Sequence, residues 1–388
     1  MFPLRNLMRN FKKAILEPKY AFKAFIKRSQ AWLDYSFNKK GESSYPEAIT
    51  LFLTYRCNLR CHMCGQWGDS GSNKNYDSKK INEEIPLEIL EKFLDEINKF
   101  YPHITLFGGE PLLYKDVDKL IMEIKKRGLH CCIITNGVLV EKFAEVIVDS
   151  KLDELSLSID GPEEIHDSIR NVKGTFKKIK KGVDLVNELK SKKNQKLPVI
   201  NIVFTISNLN YNYMKEMIDV ARGFHCDTLN FHHLIFTEEN VLKQHNELFK
   251  KFFNQESYDW QGFILPDIKN INVDKLIEDI RDIQNERYTF LVDFYPNFTF
   301  EEIKEYYTNP NFISKSYPDR CLSPWIVSYI YPDGSVLPCH SLSYSVGNIK
   351  EKSFLEIWNG ERFKNFRRIL KKEKYFPICP KCTEKYRY

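Results

Sequence analysis

Between residues 49 and 235, short runs rich in β-branched and aromatic residues alternate with longer runs in which apolar side chains recur every three or four positions. The short runs have the composition of strands and the long ones the period of an amphipathic helix. Six strands are predicted, at 49–55, 103–107, 130–135, 154–159, 199–206 and 228–234. Between them, PLEILEKFLDEINKF, DVDKLIMEIKKRG and FKKIKKGVDLVNELK read as helices that close in Lys-rich or Gly turns. Strand and helix in regular alternation predict βα units on a parallel sheet, hence an α/β fold with a partial (βα)6 TIM-type barrel. In such barrels the reactive groups sit on loops that leave the C-terminal ends of the strands.

Past the sixth strand the alternation stops. Residues 241–314 hold helical pieces such as VDKLIEDIRDIQ among many aromatics and predict a bridging helical insertion. Residues 315–388 carry four cysteines and predict a small cysteine-bearing C-terminal appendage. The barrel core is placed at 47–240 and a basic helical arm at 1–46. Within 66–85 the polar stretch GDSGSNKNYDSKK predicts a mobile loop that folds over the site.

Composition excludes several classes. With 43% hydrophobic and 28% charged residues the chain reads as globular, and no run approaches the roughly 18 apolar residues of a membrane span. The opening MFPLRNLMRNFKKAIL is too interrupted by Arg and Lys for a secretory signal, which predicts a cytoplasmic location. Of the net charge of +6, residues 1–40 supply more than all: ten Lys and Arg stand there against Glu17 and Asp34. Aromatics interleave with these charges. The expected arrangement packs the aromatic side on the main domain and leaves Lys and Arg in water; the alternative is an arm lying on an anionic membrane surface as a peripheral contact. No nucleic-acid reader motif accompanies the charge, so nucleic acid is not an expected partner.

In a reducing compartment, clustered cysteines are read as metal or cluster ligands before disulfides. Cys131, Cys132 and Cys226 lie in or beside apolar runs and read as buried thiols. The other seven form two groups. Directly after the first strand, TYRCNLRCHMCGQWG places Cys57, Cys61 and Cys64 on one loop. Three thiolates saturate three corners of a cubane [4Fe–4S] cluster and leave one iron open to an exogenous ligand. A structural zinc site wants four protein ligands, and His62 is the nearest candidate for the fourth.

The spacing of cysteine, three residues, cysteine, two residues, cysteine after a first barrel strand resembles the signature of the radical S-adenosylmethionine (SAM) superfamily. That resemblance spans about residues 47–240 and implies a SAM-binding [4Fe–4S] cluster and SAM itself, split reductively to a 5′-deoxyadenosyl radical. An aromatic residue usually precedes the last cysteine in this family; Met63 stands there instead. Gly108, Gly109 and Glu110, after the second strand, resemble the segment that binds the methionine amino group. The glycines let backbone approach the ligand and the carboxylate suits an ammonium. In SLSIDGPEEIHDSIR the resemblance places Ser158 and Asp160 at the ribose and Arg170 at the methionine carboxylate. Asn230 and His232 alternate with Leu229 and Phe231 and are candidates to face substrate; a core histidine is the alternative.

Cys321, twelve residues, Gly334, four residues and Cys339 resemble the opening of a SPASM domain, with Cys379 and Cys382 following. Four cysteines resemble the shortened Twitch form around a second, auxiliary [4Fe–4S] cluster; a zinc ribbon is the alternative. Four thiolates complete a cubane, so electron transfer is expected of it. The expected enzyme is a radical SAM oxidoreductase, reduced by a flavodoxin or ferredoxin, that oxidises a sugar, cyclitol or lipid-linked small molecule by two electrons. Residues 1–46 are too short for the leader-binding module of peptide-modifying relatives, which leaves a peptide maturase as the second reading. A non-catalytic iron–sulfur electron carrier or regulator is the alternative from another class.

Overall fold

A computed structural model describes residues 18–340 and 342–388. Its centre is one sheet of ten strands: β1 (Ala48–Phe52), β2 (His103–Phe107), β3 (Cys131–Thr135), β4 (Glu154–Ser158), β5 (Val199–Ile206), β6 (Thr228–His233), β7 (Leu291–Tyr295), β8 (Val327–Ile330), β9 (Ser335–Leu337) and β10 (Gly347–Asn348). They lie in the order β10-β9-β8-β1-β2-β3-β4-β5-β6-β7, and β8 through β7 run parallel.

The six predicted strands are neighbours in chain order, with ends within three residues of those expected. The sheet exceeds six units at both sides. β7 lies inside the stretch predicted to be a helical bridge, because LVDFY is short, carries Asp293 at its centre and runs into Pro296. β8 comes from the C-terminal appendage yet pairs with β1, Ala48 opposite Val327. The appendage therefore continues the sheet of the core.

One face of the sheet is the main core. Ile49, Leu51, Ile104, Leu106, Ile133, Leu155, Ile202, Phe204, Leu229 and Phe231 are buried there. Helices meet it with stripes at i, i+3, i+4 and i+7: Leu90, Phe93, Leu94 and Ile97 on the helix Leu87–Ile97, and Val117, Leu120, Ile121 and Ile124 on Val117–Lys126. On the opposite face, Ala48, Phe52 and Phe107 of β1 and β2 join a second apolar cluster with Val327 and Tyr329, while on β4 to β6 the alternate residues form a polar face. There Thr228 Oγ1 donates to Asn201 Oδ1 (2.5 Å), and Asn201 Nδ2 donates to Ser156 Oγ (3.4 Å). Residues 383–388 lie against the two ends of the parallel set: Tyr295 Oη on β7 donates to Thr383 O (2.7 Å), and Tyr329 Oη on β8 to Glu384 Oε2 (3.2 Å).

Of the predicted basic arm, residues 1–17 lie outside the described residues. The remainder forms α1 (Pro18–Phe37). It meets the body through Ala24, Ala31 and Tyr35, whose ring lies edge-on to Trp325 at 5.0 Å. Its orientation overturns the expected packing. Arg28 faces inward and makes a two-pronged pair with Glu47 (2.6 and 2.7 Å), and Lys27 Nζ donates to Phe100 O (2.6 Å), while the aromatic side points to solvent. Lys27 and Arg28 turn to the body because backbone carbonyls and a buried carboxylate accept from them at the foot of β1 and β2.

Candidate active site and cluster sites

The first cysteine loop leaves the C-terminal end of β1. Cys61 is buried and Cys57 and Cys64 half-buried. Each sulfur is faced by a different donor: Arg170 Nη1 lies 3.7 Å from Cys61 Sγ, the Trp67 backbone N–H 3.3 Å from Cys64 Sγ, and Asn136 Nδ2 4.0 Å from Cys57 Sγ. Donors aimed at sulfur favour thiolate over thiol. Burial opposes them, pushing the Cys57 thiol up to about 12 and raising Cys61, against which the Arg170 charge works. His62 is exposed, so its side chain leaves the loop.

After Cys64 the polar stretch is tied down along its length. Gly68 N donates to Cys64 O (2.8 Å), Ser72 N to Gly65 O (3.0 Å) and Asn73 N to Gln66 O (2.9 Å). Gly65 sits so near Gly262 that a Cβ on Gly262 would fall 2.0 Å from Gly65 O. The segment begins as a bonded collar around the cysteines, where its composition predicted a mobile loop.

Gly108 and Gly109 serve the same loop. Gly109 N donates to Thr54 O and Glu110 N to Arg56 O, both at 2.8 Å, and a Cβ on Gly109 would stand 2.3 Å from Arg56 O. The close approach that excludes a side chain here is backbone to backbone, between β1 and β2. Glu110 is wholly buried and its carboxylate accepts from Thr135 Oγ1 (2.6 Å), Asn136 N (2.8 Å) and Leu112 N (3.1 Å). Three of its roughly four acceptor positions are thus used within the chain. Burial raises the Glu110 carboxyl, and the Thr135 hydroxyl pulls against that rise. Thr135 and Asn136 carried no role by sequence; their partner Glu110 is 25 residues away, so no local pattern marks them.

Arg170 and Asp160 form a buried pair. The Arg170 guanidinium spans Asp160 on one side and Cys61 Sγ on the other, and its Nε has no hydrogen-bond partner among the described residues. Asp160 also accepts from Thr205 N (3.2 Å). Both residues therefore brace the loop whatever else they touch. Ser158 ends β4, half-buried, and Met63 is half-buried beside Cys64. Asn230 and His232 share the polar face of β6. Asn230 Nδ2 donates to Thr228 Oγ1 (3.0 Å), and the His232 ring lies 5.3 Å from that of Tyr295. His233 points the other way into the core, against Tyr307 Oη at 2.9 Å.

Cys321, Cys339, Cys379 and Cys382 line a single cavity closed by Leu342, Phe366, Leu370 and Phe376. Burial pushes the Cys321 thiol up to about 12 and Cys379 to about 11, and raises Cys382, to which the other three thiols add. The buried Lys385 ammonium faces Cys321, Cys379 and Cys382. Four sulfurs around a largely apolar cavity, with Lys385 and Glu384 at its wall, suit a cubane cluster. Among the described residues no three His, Cys, Asp or Glu converge closely enough for one metal ion. A cation stands beside each group, Arg170 at the first and Lys385 at the second, as countercharge suited to an anionic cluster.

With this geometry in hand, known proteins place the chain. The profile of the Radical SAM superfamily matches residues 51–248, and that of SPASM, an iron–sulfur cluster-binding domain, matches residues 321–383. The chain is similar to the tungsten-containing aldehyde ferredoxin oxidoreductase cofactor-modifying protein of Pyrococcus furiosus, 25% identical over 86% of each chain. It is also similar to the AdoMet-dependent heme synthase of Oleidesulfovibrio alaskensis, 24% identical over 85% of this chain and 78% of that one. Among solved structures, Streptococcus suis SuiB shares the fold. Bound to S-adenosylmethionine it superposes with a TM-score of 0.61 at 17% identity, over 88% of this chain and 71% of that one. Bound to precursor peptide SuiA the TM-score is 0.59 at 17% identity, over 86% and 68%.

Proposed function

The chain belongs to the radical SAM superfamily, and from that premise we propose that Cys57, Cys61 and Cys64 hold its SAM-binding [4Fe–4S] cluster. The family brings that cluster and SAM, and the C-terminal match brings auxiliary iron–sulfur chemistry. We assign the auxiliary [4Fe–4S] cluster to Cys321, Cys339, Cys379 and Cys382. The observation that carries the first assignment is that the three sulfurs each meet a separate donor: Asn136, Arg170 and the Trp67 amide.

When bound to these residues, the cluster and SAM would supply radical chemistry for hydrogen abstraction. The chain's own residues hold and shield that chemistry. Glu110 locks the end of β3 to the end of β2 and keeps one acceptor position for an ammonium; Arg170 places a fixed positive charge at Cys61. Met63, Gly108, Gly109, Ser158 and Asp160 are assigned to the SAM side of the site, and Asn230 and His232 to substrate. An aromatic contact chain supports transfer of an electron to the auxiliary site. Tyr331 stacks on Phe52 (4.4 Å), lies 6.3 Å from Tyr55, and donates from Oη to the carbonyl of His340 (2.6 Å), the neighbour of Cys339.

The substrate we propose is a small molecule, oxidised by two electrons. The polar side chains of Asn230 and His232 on β6 support a hydroxyl-rich sugar, cyclitol or lipid-linked substrate. Two relatives matched over most of their length are named for a modified cofactor and for heme. Peptide modification is the second reading, supported by the likeness to peptide-bound SuiB. Superfamily members generally need an electron donor, here assigned to a flavodoxin or ferredoxin. We place the protein in the cytoplasm, where clustered cysteines serve as cluster ligands and not as disulfides. The test is anaerobic reconstitution followed by reduction with SAM present. Release of 5′-deoxyadenosine, abolished by Cys61→Ala, supports the enzyme; an iron–sulfur protein that releases none favours the non-catalytic electron carrier or regulator.

A further inference from the structure

Helix α1 presents its apolar side to solvent. Phe22, Phe25, Ile26, Trp32, Leu33 and Phe37 recur at helical spacing on one arc, and all are exposed, Phe22 at 66% and Phe37 at 72%. This is the reverse of a water-facing helix, whose outer arc is polar. The opposite arc is already committed, through Ala24, Ala31 and the Arg28–Glu47 pair. No rotation about the helix axis hides the aromatics without breaking that pair.

A second feature stands beside it. Lys39 and Lys40 follow the helix and are exposed. Arg368 Nη1 donates to Lys40 O (3.0 Å), which brings the basic helix Glu361–Glu373 alongside, and Lys371 Nζ donates to Ser36 O (3.3 Å). Exposed Arg368 and Lys372 of that helix add to the positive rim. Segments more than 300 residues apart in sequence thus build one basic border around one apolar stripe. Exposed Tyr101 flanks it, with Lys23 Nζ 4.4 Å above its ring.

We propose that α1 is an interfacial membrane anchor that lies in the plane of an anionic bilayer, with the six apolar side chains among the acyl chains and the basic rim at phosphate and carboxylate headgroups. The chemistry matches such a surface: a large apolar arc, aromatics able to sit at headgroup level, and cations at its edge. A second copy of the chain is disfavoured, because facing two such rims sets like charges together. Among the described residues no helix is long and apolar enough to cross a membrane, so the anchor lies on the bilayer. The Arg28–Glu47 pair holds α1 at the foot of β1, away from the cysteine loop at its other end, so the anchored enzyme keeps its mouth toward the aqueous side.

The test is flotation of the full-length, cluster-loaded protein with vesicles of phosphatidylcholine alone and with phosphatidylglycerol added. Binding is expected only with the anionic lipid and is expected to weaken as salt rises. The Phe25→Asp/Leu33→Asp variant should lose about tenfold per side chain, from the apolar area no longer withdrawn from water. Lys39→Gln/Lys40→Gln should lose about fivefold per lysine at low salt. Both variants should release 5′-deoxyadenosine at the unaltered rate, which shows that they fold. Absence of binding to anionic vesicles overturns the proposal, as does equal binding by the Asp variant. A wild-type dimer in sedimentation that the Asp variant converts to monomer assigns the face to a second copy and also overturns it.

Discussion

Removal of the Arg170 guanidinium is the perturbation whose size the structure defines most closely. In Arg170→Met the side chain keeps much of its volume, but Asp160, wholly buried, loses its only ionic partner among the described residues. Breaking a buried pair from one side costs about 3–5 kcal/mol, because the remaining charge has neither water nor counterion. The Thr205 N–H at 3.2 Å stays in place and offsets little of that. Burial already raises Asp160 in the intact chain, with Arg170 as the main opposing influence; without it the rise grows. The sign follows. A carboxyl raised in the folded state binds protons more tightly than in the unfolded chain, so the variant is relatively more stable below the raised value and loses stability as pH increases through it. Urea unfolding of the cluster-free protein, followed by circular dichroism at pH 5.5 and pH 8, should show a deficit of about 3–5 kcal/mol at pH 8 that shrinks at pH 5.5. The double variant Asp160→Asn/Arg170→Met should recover most of the loss. A deficit below about 1 kcal/mol at pH 8, or one equal at both pH values, refutes the buried-pair argument.

Four further outcomes are expected. Gly109→Ala places a methyl group against the Arg56 carbonyl, backbone on both sides, and should cut 5′-deoxyadenosine formation at least about 100-fold, a displacement of the site by an ångström being enough; near-normal turnover would show that the β1–β2 contact is slack. Cys382→Ala should leave about four irons per chain where the intact protein holds about eight, read by iron analysis, while the Cys61→Ala variant loses the other cubane; full iron in Cys382→Ala would remove that residue from the ligand set. Glu110→Gln exchanges a carboxylate for an amide that accepts on one oxygen only, so one of the Thr135 and Asn136 donors loses its partner; SAM affinity by calorimetry should fall about tenfold or more, and an unaltered value would deny Glu110 its bracing role. His166, His233 and His245 are buried and held neutral by desolvation, near 3, 3 and 4. Their folded values lie below the unfolded one, so stability present above about pH 6.5 is lost as pH falls, by up to about 1.4 kcal/mol per unit for each. In His245→Phe, where neither ring nitrogen has a partner and the ring meets Phe249 and Phe376, urea unfolding across pH 4–7 should show a shallower acid loss; an unchanged slope would show that His245 is not desolvated.

Much of the core was legible from residue order, because βα units are local. Strand and helix in each unit are adjacent in the chain, and their periods of 2 and 3.6 mark which face is buried, as Leu229 and Phe231 against Asn230 and His232 show. β7 escaped because its five residues include an aspartate and none of its neighbours in sequence reveals that β6 lies beside it. The arm was misjudged for a related reason: composition identifies an amphipathic helix but not which side the body claims.

The amino-acid sequence by itself determined what depends on spacing along one segment: three thiols on one loop, four more in a later stretch, and the alternation that makes a parallel sheet. Tertiary structure alone decided what depends on segments far apart. It set Arg170 against Cys61, drew Thr135 and Asn136 onto Glu110, joined β8 to β1, and turned Arg28 inward so that the aromatics of α1 face out. The physical reason is that buried charges and unpaired backbone groups must each find a partner, and those partners lie tens to hundreds of residues away, where no local pattern points to them.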